Sequence, residues 1–521
     1  MNQYKFTRRE WLRTSAAAGT AVLCSSRFPP LAQAAETSPA AAINLGSRRE
    51  LFVDDFLIDQ LAGNAELRLH HPQPREIALV HDAPWEGSGT SYHSVFQDGP
   101  RYRMYYKAEH FDVQPPGRLA TDTHPRFCCY AESDDGIRWR KPELGLHQFN
   151  GSRKNNIVMV PENTGAAIAD PGHVAVFKDE NPAAPAAARY KAIVLSEKPL
   201  GLLAYKSPDG LRWTPMADRP VITEGAFDSQ NLAFWDPVRA EYRAYWRIFT
   251  AGVRAIRTAT SKDFLSWGPH ADLTYVDSPP EHLYTNQIKP YHRAPHIFIG
   301  FPARYLERGW SDSMRALPEL QHRQLRARAH LRYGTALTEG SLMASRDGVK
   351  FKRWNEAFLR PGIERPGTWQ YGQQFIAWHL VETKSALEGA PDELSLYAGE
   401  SCWTGHSSEL RRYTLRPDGF VSVSAPMRGG ELLTRPLTFK GNKLTINFAT
   451  SAAGDVRLEF QDAAGKPLPG FRLDDCPPIF GDAIERIVTW KNGGDLGALA
   501  GQPVRLRFAL KDADLFAIQF Q

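Results

Sequence analysis

Four acidic residues, far apart in the chain, each stand beside amides, histidines or aromatic rings: Glu86 in PWEGSG, Asp170 in ADPGHVAVF, Asp228 in FDSQN and Glu281 in EHLYTN. Carboxylates brought together suit the cleavage of a glycosidic bond. One acid protonates the leaving oxygen, and a second carboxylate acts as base or nucleophile at the anomeric carbon. The surrounding residues fit that chemistry as binding groups. Trp85, Tyr92, Tyr284, Trp369 and Tyr371 offer aromatic faces to sugar C–H groups, while His93, His173, Gln230, Asn231, His282 and Asn286 offer hydrogen bonds to hydroxyls. Arg304, with Arg254, Arg257 and Arg293, either meets a substrate carboxylate or pairs with the protein's own acids. Structural roles compete at each acid. Asp170 also starts a turn before Pro171, and Glu86 and Glu281 also read as loop-surface carboxylates.

Segments so distant converge only through a repeat architecture, and the sequence carries one. YAESDDGIRW, YKSPDGLRW, TATSKDFLSW and MASRDGVKF share Ser-x-Asp, with an aromatic residue four positions after the Asp: Trp139, Trp213, Trp267 and Phe351. An Asp side chain accepts hydrogen bonds from backbone amides across a tight turn, Gly takes the positive φ, and the aromatic ring packs between sheets. Asp135, Asp209, Asp263 and Asp347 therefore read as turn locks. The third copy has Phe264 in the Gly position, which is expected of a solvent-exposed turn. Alternating strands surround the boxes in five units of about 55 to 85 residues, each with some four short strands. A fifth unit, from YGQQFIAWHLVE to LRRYTLRPDGFVSV, keeps the strands and lacks the box.

This pattern predicts an all-β fold, a five-bladed β-propeller over residues 43–425 followed by a β-sandwich over 426–521. A strand within 43–60 is expected to close or brace the ring, and an Arg- and His-rich loop interrupts the fourth unit. In a propeller the innermost strand of each blade starts near the axis, so polar residues at those starts converge. That phasing selects the four acids above and moves the search away from the boxes.

The chain resembles the five-bladed β-propeller glycosidases, the group that includes glycoside hydrolase families 32 and 43 and the mannoside phosphorylases. The likeness spans about residues 75–425 and rests on the five units, the Ser-x-Asp-Gly-x-x-Trp turns and ADPGHVAVF, which looks like the Asp-Pro start of the second blade. It implies that Asp170 orients substrate and tunes the proton donor. The chain has no WMNDPNG at the first blade and no Glu-Cys pair at the third, so Glu86, Asp228 and Glu281 are placed by blade position alone. Two alternatives stay open: a sialidase-like glycosidase, and a non-catalytic propeller that binds carbohydrate or protein.

Composition bounds these readings. Hydrophobic residues make up 42% and charged residues 23%, with 13 Trp, 18 Tyr and 27 Phe, a load that suits strands and sugar-binding surfaces and not a disordered chain. Residues 1–34 read as a twin-arginine export signal, with Arg8 and Arg9, a short apolar stretch and a small-residue site at Ala32-Gln33-Ala34. Its removal takes about +4 of the formal +5, so net charge points to no nucleic-acid partner. No apolar run reaches the ~20 residues of a membrane-spanning helix. The expected setting is periplasmic or secreted, the expected partner is a carbohydrate substrate, and no cofactor or metal is required. Cys128, Cys129, Cys402 and Cys476 lack metal spacing and read as buried thiols or as one disulfide.

Overall fold

The computed structural model describes residues 42–114, 117–121, 124–405 and 407–521, so the expected export segment lies outside the described residues. The fold is nearly all β. Among the described residues α-helix is confined to Asp312–Ala316, Leu320–Ala329 and Leu331–Thr335.

Four sheets, antiparallel but for one parallel edge strand in the fourth, follow one another along the chain. The first runs Ser91–Asp98, Arg101–Ala108, Phe127–Ser133 and Ile157–Met159; the second is built on Ala167–Lys178, Tyr190–Lys198 and Leu200–Ser207. The third holds Leu232–Asp236, Glu241–Thr250 and Val253–Ser261, and the fourth Lys289–Tyr291, Ala294–Gly300, Met343–Ser345 and Lys350–Arg353. A fifth sheet of Val381–Thr383, Glu393–Glu400 and Glu409–Leu415 takes its outer strand, Gln73–Val80, from before the first sheet.

Each sheet shares an apolar core with its neighbour. Tyr105 and Tyr130 pack with Val174 and Tyr190 between the first and second sheets. Phe177, Phe234 and Phe298 join the second, third and fourth, Ile297 packs with Leu394 and Leu396, and Met104 and Tyr106 of the first sheet pack with Tyr397 and Leu410 of the fifth. Succession along the chain thus returns to its start.

The Ser-x-Asp turns have one geometry. In the first, Ser133 Oγ donates to Asp135 Oδ1 (2.9 Å) and accepts from Gly136 N (2.9 Å), while Asp135 Oδ1 accepts from Ile137 N (2.9 Å) and Arg138 N (2.8 Å). The same bonds recur at Asp209, Asp263 and Asp347. The residue after each Asp has φ between 70° and 79°, Phe264 included. Phe264 is fully buried, not exposed as expected, because its ring packs against Phe177 and Tyr242 from neighbouring sheets. The boxes also stitch sheets together: Tyr397 donates to Gly136 O, Arg103 to Asp209 O and Tyr245 to Gly348 O. Trp139 stands edge-on to Tyr397 as a wedge between the first and fifth sheets.

The C-terminal part forms a ten-stranded sheet around the long strands Leu444–Asp462 and Val504–Phe520, which fold over a core that includes Leu432, Phe448, Phe460, Phe508 and Phe520. Residues 43–60, expected to brace the ring, hydrogen-bond into this sheet instead: Ile43–Gly46 pairs with Leu437–Phe439 and Arg49–Leu51 with Val504–Phe520. Their side chains still reach across. Glu50 and Asp54 each meet Arg346 of the fourth sheet's box at 2.8 Å, and Arg49 meets Asp418 at 3.0 Å. The ion pairs and His296 hold the Glu50 carboxyl down at about 2 against the opposing effect of its burial. All four described cysteines are buried free thiols.

The Arg- and His-rich insertion of the fourth unit is helical where a loop was expected. Ser311 caps the first helix by accepting from Met314 N (3.1 Å). Arg323 and Arg326 are fully buried and donate to Thr368 O, Gln370 Oε1 and Cys402 O, so the helices clamp the loops at 367–374 and 401–405.

Candidate functional site

Those loops and the strand starts enclose a pocket of about 210 Å³, lined by Tyr92, Lys107, Glu109, Phe111, Arg126, His173, Asp228, Tyr284, Arg332, Tyr333, Tyr371, Phe375, Cys402 and Trp403 among others. Local chain irregularities aim these side chains. ADPGH begins with a register shift between Asp170 and Val174, where Pro171 has no N–H to give to the ladder. A Cβ on Gly172 would lie 2.7 Å from Arg126 Cδ, so only Gly lets the bulge close on that arginine. A second shift between Ser91 and Ser94 turns Tyr92 into the pocket at φ 57°, and Trp403 holds φ 64°. Positive φ at aromatic residues is strained backbone of the kind that gathers at binding sites.

At the centre is a chain of charges. Arg126 donates to Glu109 Oε1 (2.8 Å) and Asp170 Oδ2 (2.8 Å), and Lys107 meets Glu109 Oε2 at 2.5 Å. His173 Nδ1 donates to Asp170 Oδ2 (2.9 Å) and Nε2 to Asp228 Oδ1 (3.1 Å). An ionised carboxylate only accepts, so an imidazole placed between two of them needs a proton on each nitrogen. His173 is thus an imidazolium. Its burial pushes its pKa down, but the bonds to Asp170 and Asp228 outweigh this and hold it above the usual histidine value. Burial likewise pushes both carboxyls up, and His173, with Arg126 at Asp170 and Arg247 at Asp228, holds each well below the usual carboxylate range. Asp170 is buried, whereas the Asp228 side chain is 76% exposed at the pocket mouth. Asn231 donates to Phe227 O (2.8 Å) and Ser229 O (3.0 Å), knitting the loop that presents Asp228. The Cys402 thiol is pushed up to about 12 by burial, which keeps it protonated and unreactive.

Among the residues singled out in the sequence, Tyr92, His173, Asp228, Tyr284 and Tyr371 line this pocket and Asp170 backs it. The others lie elsewhere. Glu86 is buried outside the pocket against Tyr106 OH (2.6 Å), Lys141 Nζ (2.6 Å) and Ala83 N (3.0 Å), and its burial raises its pKa. Glu281 pairs with Arg353 (3.1 Å) and Arg304 (3.5 Å), and Arg304 also binds Glu339. Trp85 donates to Asn156, His93 meets His81 at 3.1 Å, and Trp369 donates to Gly362 O. Gln230 bonds Tyr92 O and Gln287, Asn286 caps Ile288 N, and His282 accepts from Arg254 N. Glu109, Lys107, Arg126, Arg332, Phe375 and Trp403 escape a search of strand starts. Glu109 follows the end of Arg101–Ala108, and an outgoing strand returns to the rim that the next one leaves. KAEH at that end, a cation and an acid beside a histidine, was the available signal.

No protein-family model and no curated protein matches this chain. Among solved structures it is similar to a glycosyl hydrolase from Bacteroides ovatus (15% identity, 71% of this chain and 94% of that one, TM-score 0.35). It is also similar to an endo-arabinase from Bacteroides thetaiotaomicron VPI-5482 (9%, 66% and 98%, TM-score 0.36). A third is an N-acetylgalactosamine deacetylase from F. plautii in complex with blood group B trisaccharide (12%, 67% and 94%, TM-score 0.39). At such scores no residue role passes from these structures to this chain.

Proposed function

We propose that this chain is an exported carbohydrate-active enzyme that hydrolyses glycosidic bonds in the pocket at Asp228. In this reading the five sheets are the blades of a propeller, the Gln73–Val80 strand is its closure, and the C-terminal sheet is a sandwich-like accessory layer. The cyclic sharing of cores between sheets supports the propeller. Arg8, Arg9 and the apolar stretch after them support export to the periplasm or medium.

One observation carries the chemistry: an exposed carboxylate, Asp228, hydrogen-bonded by an imidazolium and facing a second carboxylate-bearing wall among seven aromatic rings. Asp170 is tied up by Arg126 and Gly172, which makes it a positioning residue. Glu109 is the second acid of the pocket. A bound sugar ring displaces water from Asp228, disfavours the ion pair and draws the His173 proton onto the carboxylate. The leaving oxygen takes that proton as the C–O bond breaks. Glu109 takes a proton from the water that adds to the anomeric carbon, so one water is consumed and the protons balance.

Product analysis on a panel of plant and algal glycans, with wild type beside Asp228→Asn and Glu109→Gln, tests this. Each variant is expected to lose about 10²- to 10⁴-fold in kcat, the range of general acid–base catalysis. Equal turnover by wild type and Asp228→Asn removes Asp228 from the mechanism, and no turnover of any glycan by the wild type leaves a binding propeller.

A further inference from the structure

We propose that the pocket selects a sugar ring bearing a carboxylate, a terminal uronic acid, and that Arg332 is the partner of that carboxylate. The proposal rests on the glycan reading of the same pocket.

The pocket's other cations are committed. Lys107 and Arg126 neutralise Glu109, Arg126 also holds Asp170, and Arg247 stands 3.6 Å from Asp228. Arg332 is different. Among the described residues no carboxylate lies within ion-pair distance of it, its Nε is buried without a hydrogen-bond partner, and its guanidinium carbon lies 5.3 Å from the Tyr333 ring. A guanidinium cannot shed its charge, so an anion is what it lacks. Behind the same wall, Arg254 also has no carboxylate partner among the described residues and sits 5.3 Å from the Tyr284 ring and 4.5 Å from that of Tyr305. By contrast Arg257, Arg293 and Arg304 all pair with acids.

The two acids in the pocket do not bar an anion. Glu109 carries two cations, and Asp228 has His173 and Arg247, so the wall as a whole is positive. Beside Arg332, Tyr371 and Tyr284 share one hydrogen bond between hydroxyls (3.1 Å), which leaves one of their two O–H hydrogens to donate. A planar carboxylate matches the guanidinium fork, and the aromatic walls receive the ring's C–H faces. At about 210 Å³ the pocket is smaller than the roughly 300–1,000 Å³ of drug-sized sites, which suits a single ring.

The test is binding of free D-glucuronate and D-galacturonate against D-glucose and D-galactose, by titration calorimetry on the full chain. At least one uronate is expected to bind tighter than its neutral counterpart by about 10- to 100-fold, the worth of a charge-assisted hydrogen bond. Arg332→Gln should remove that preference, and Arg332→Lys should keep part of it. Equal binding of neutral sugars, no binding of either uronate, or an unchanged preference in Arg332→Gln overturns the proposal. So does inorganic phosphate that binds tighter than both uronates and is lost in Arg332→Gln, since it would assign the arginine to phosphate. Release of nitrophenol from matched glucuronide and glucoside separates the two claims. Uronate binding with no cleavage of any glycoside sinks the hydrolase reading alone, and cleavage of the neutral glycoside only sinks the carboxylate preference alone.

Discussion

His173 has two acceptors and therefore two protons, and its titration reports on the whole site. Its pKa is raised by Asp170 and Asp228, so the proton is held above the ordinary histidine value of about 6.5 and is lost as pH rises through the raised one. If that proton reaches the leaving oxygen, kcat/KM falls on the basic side. Asp170→Asn removes one of the charges that retain it, and the basic limb is expected to move to lower pH. Rate profiles from pH 4 to 10 for both forms check this, and a basic limb that does not move would detach His173 from the chemistry. Asp170 was readable from ADPGH because a turn before Pro171 is local. Glu109 was harder to read, since the cation and acid of KAEH signal a site only once that strand end is known to face the rim.

At the scale of the element, the Ser-x-Asp turn is a device of known worth. Asp135 accepts two backbone amides and the Ser133 hydroxyl, and these outweigh the effect of burial to hold its carboxyl at about 2. Asp135→Ala is expected to cost about 0.5–1.5 kcal/mol, the net worth of hydrogen bonds to one half-buried and one exposed amide. Because the folded pKa is depressed, this contribution is present above the ordinary carboxylate value of about 3.9 and fades as pH falls toward about 2. Urea unfolding of wild type and variant at pH 7 and pH 3 measures it. The gap should narrow at pH 3 with glycan cleavage at pH 7 unchanged; a large loss of cleavage would return the box to the list of catalytic elements. The turn was legible because all its bonds lie within five residues. The burial of Phe264 was not, because Phe177 and Tyr242 come from other strands.

For the molecule as a whole, the pairing of Gln73–Val80 with Glu409–Leu415 joins the two ends of the five-sheet succession. Leu79 sits in this strand, buried with Val95, Met104, Tyr397 and Leu410. Leu79→Ala is expected to destabilise the protein by about 2–5 kcal/mol, as for other core truncations to Ala. The pocket draws its walls from the first to the fifth sheet, so tryptophan fluorescence and glycan cleavage should be lost in one coincident thermal transition, at lower temperature in the variant. Cleavage that survives the fluorescence transition would mean that the pocket does not depend on closure. Arg346 extends the same connection to the C-terminal sheet through Glu50 and Asp54.

By itself the sequence determined what depends on neighbours along the chain: strands from alternation, the Ser-x-Asp locks, and the Asp-Pro turn at Asp170. The tertiary structure decided which acids meet. Asp228 reaches His173 because two strand starts from different sheets share a rim, while Glu86 and Glu281 are captured by Lys141 and Arg353 from distant segments. An ion pair or a shared proton depends on distances of a few ångströms between remote residues. Those distances are set by sheet register and by the closing strand, and neither is written in the spacing of any one motif.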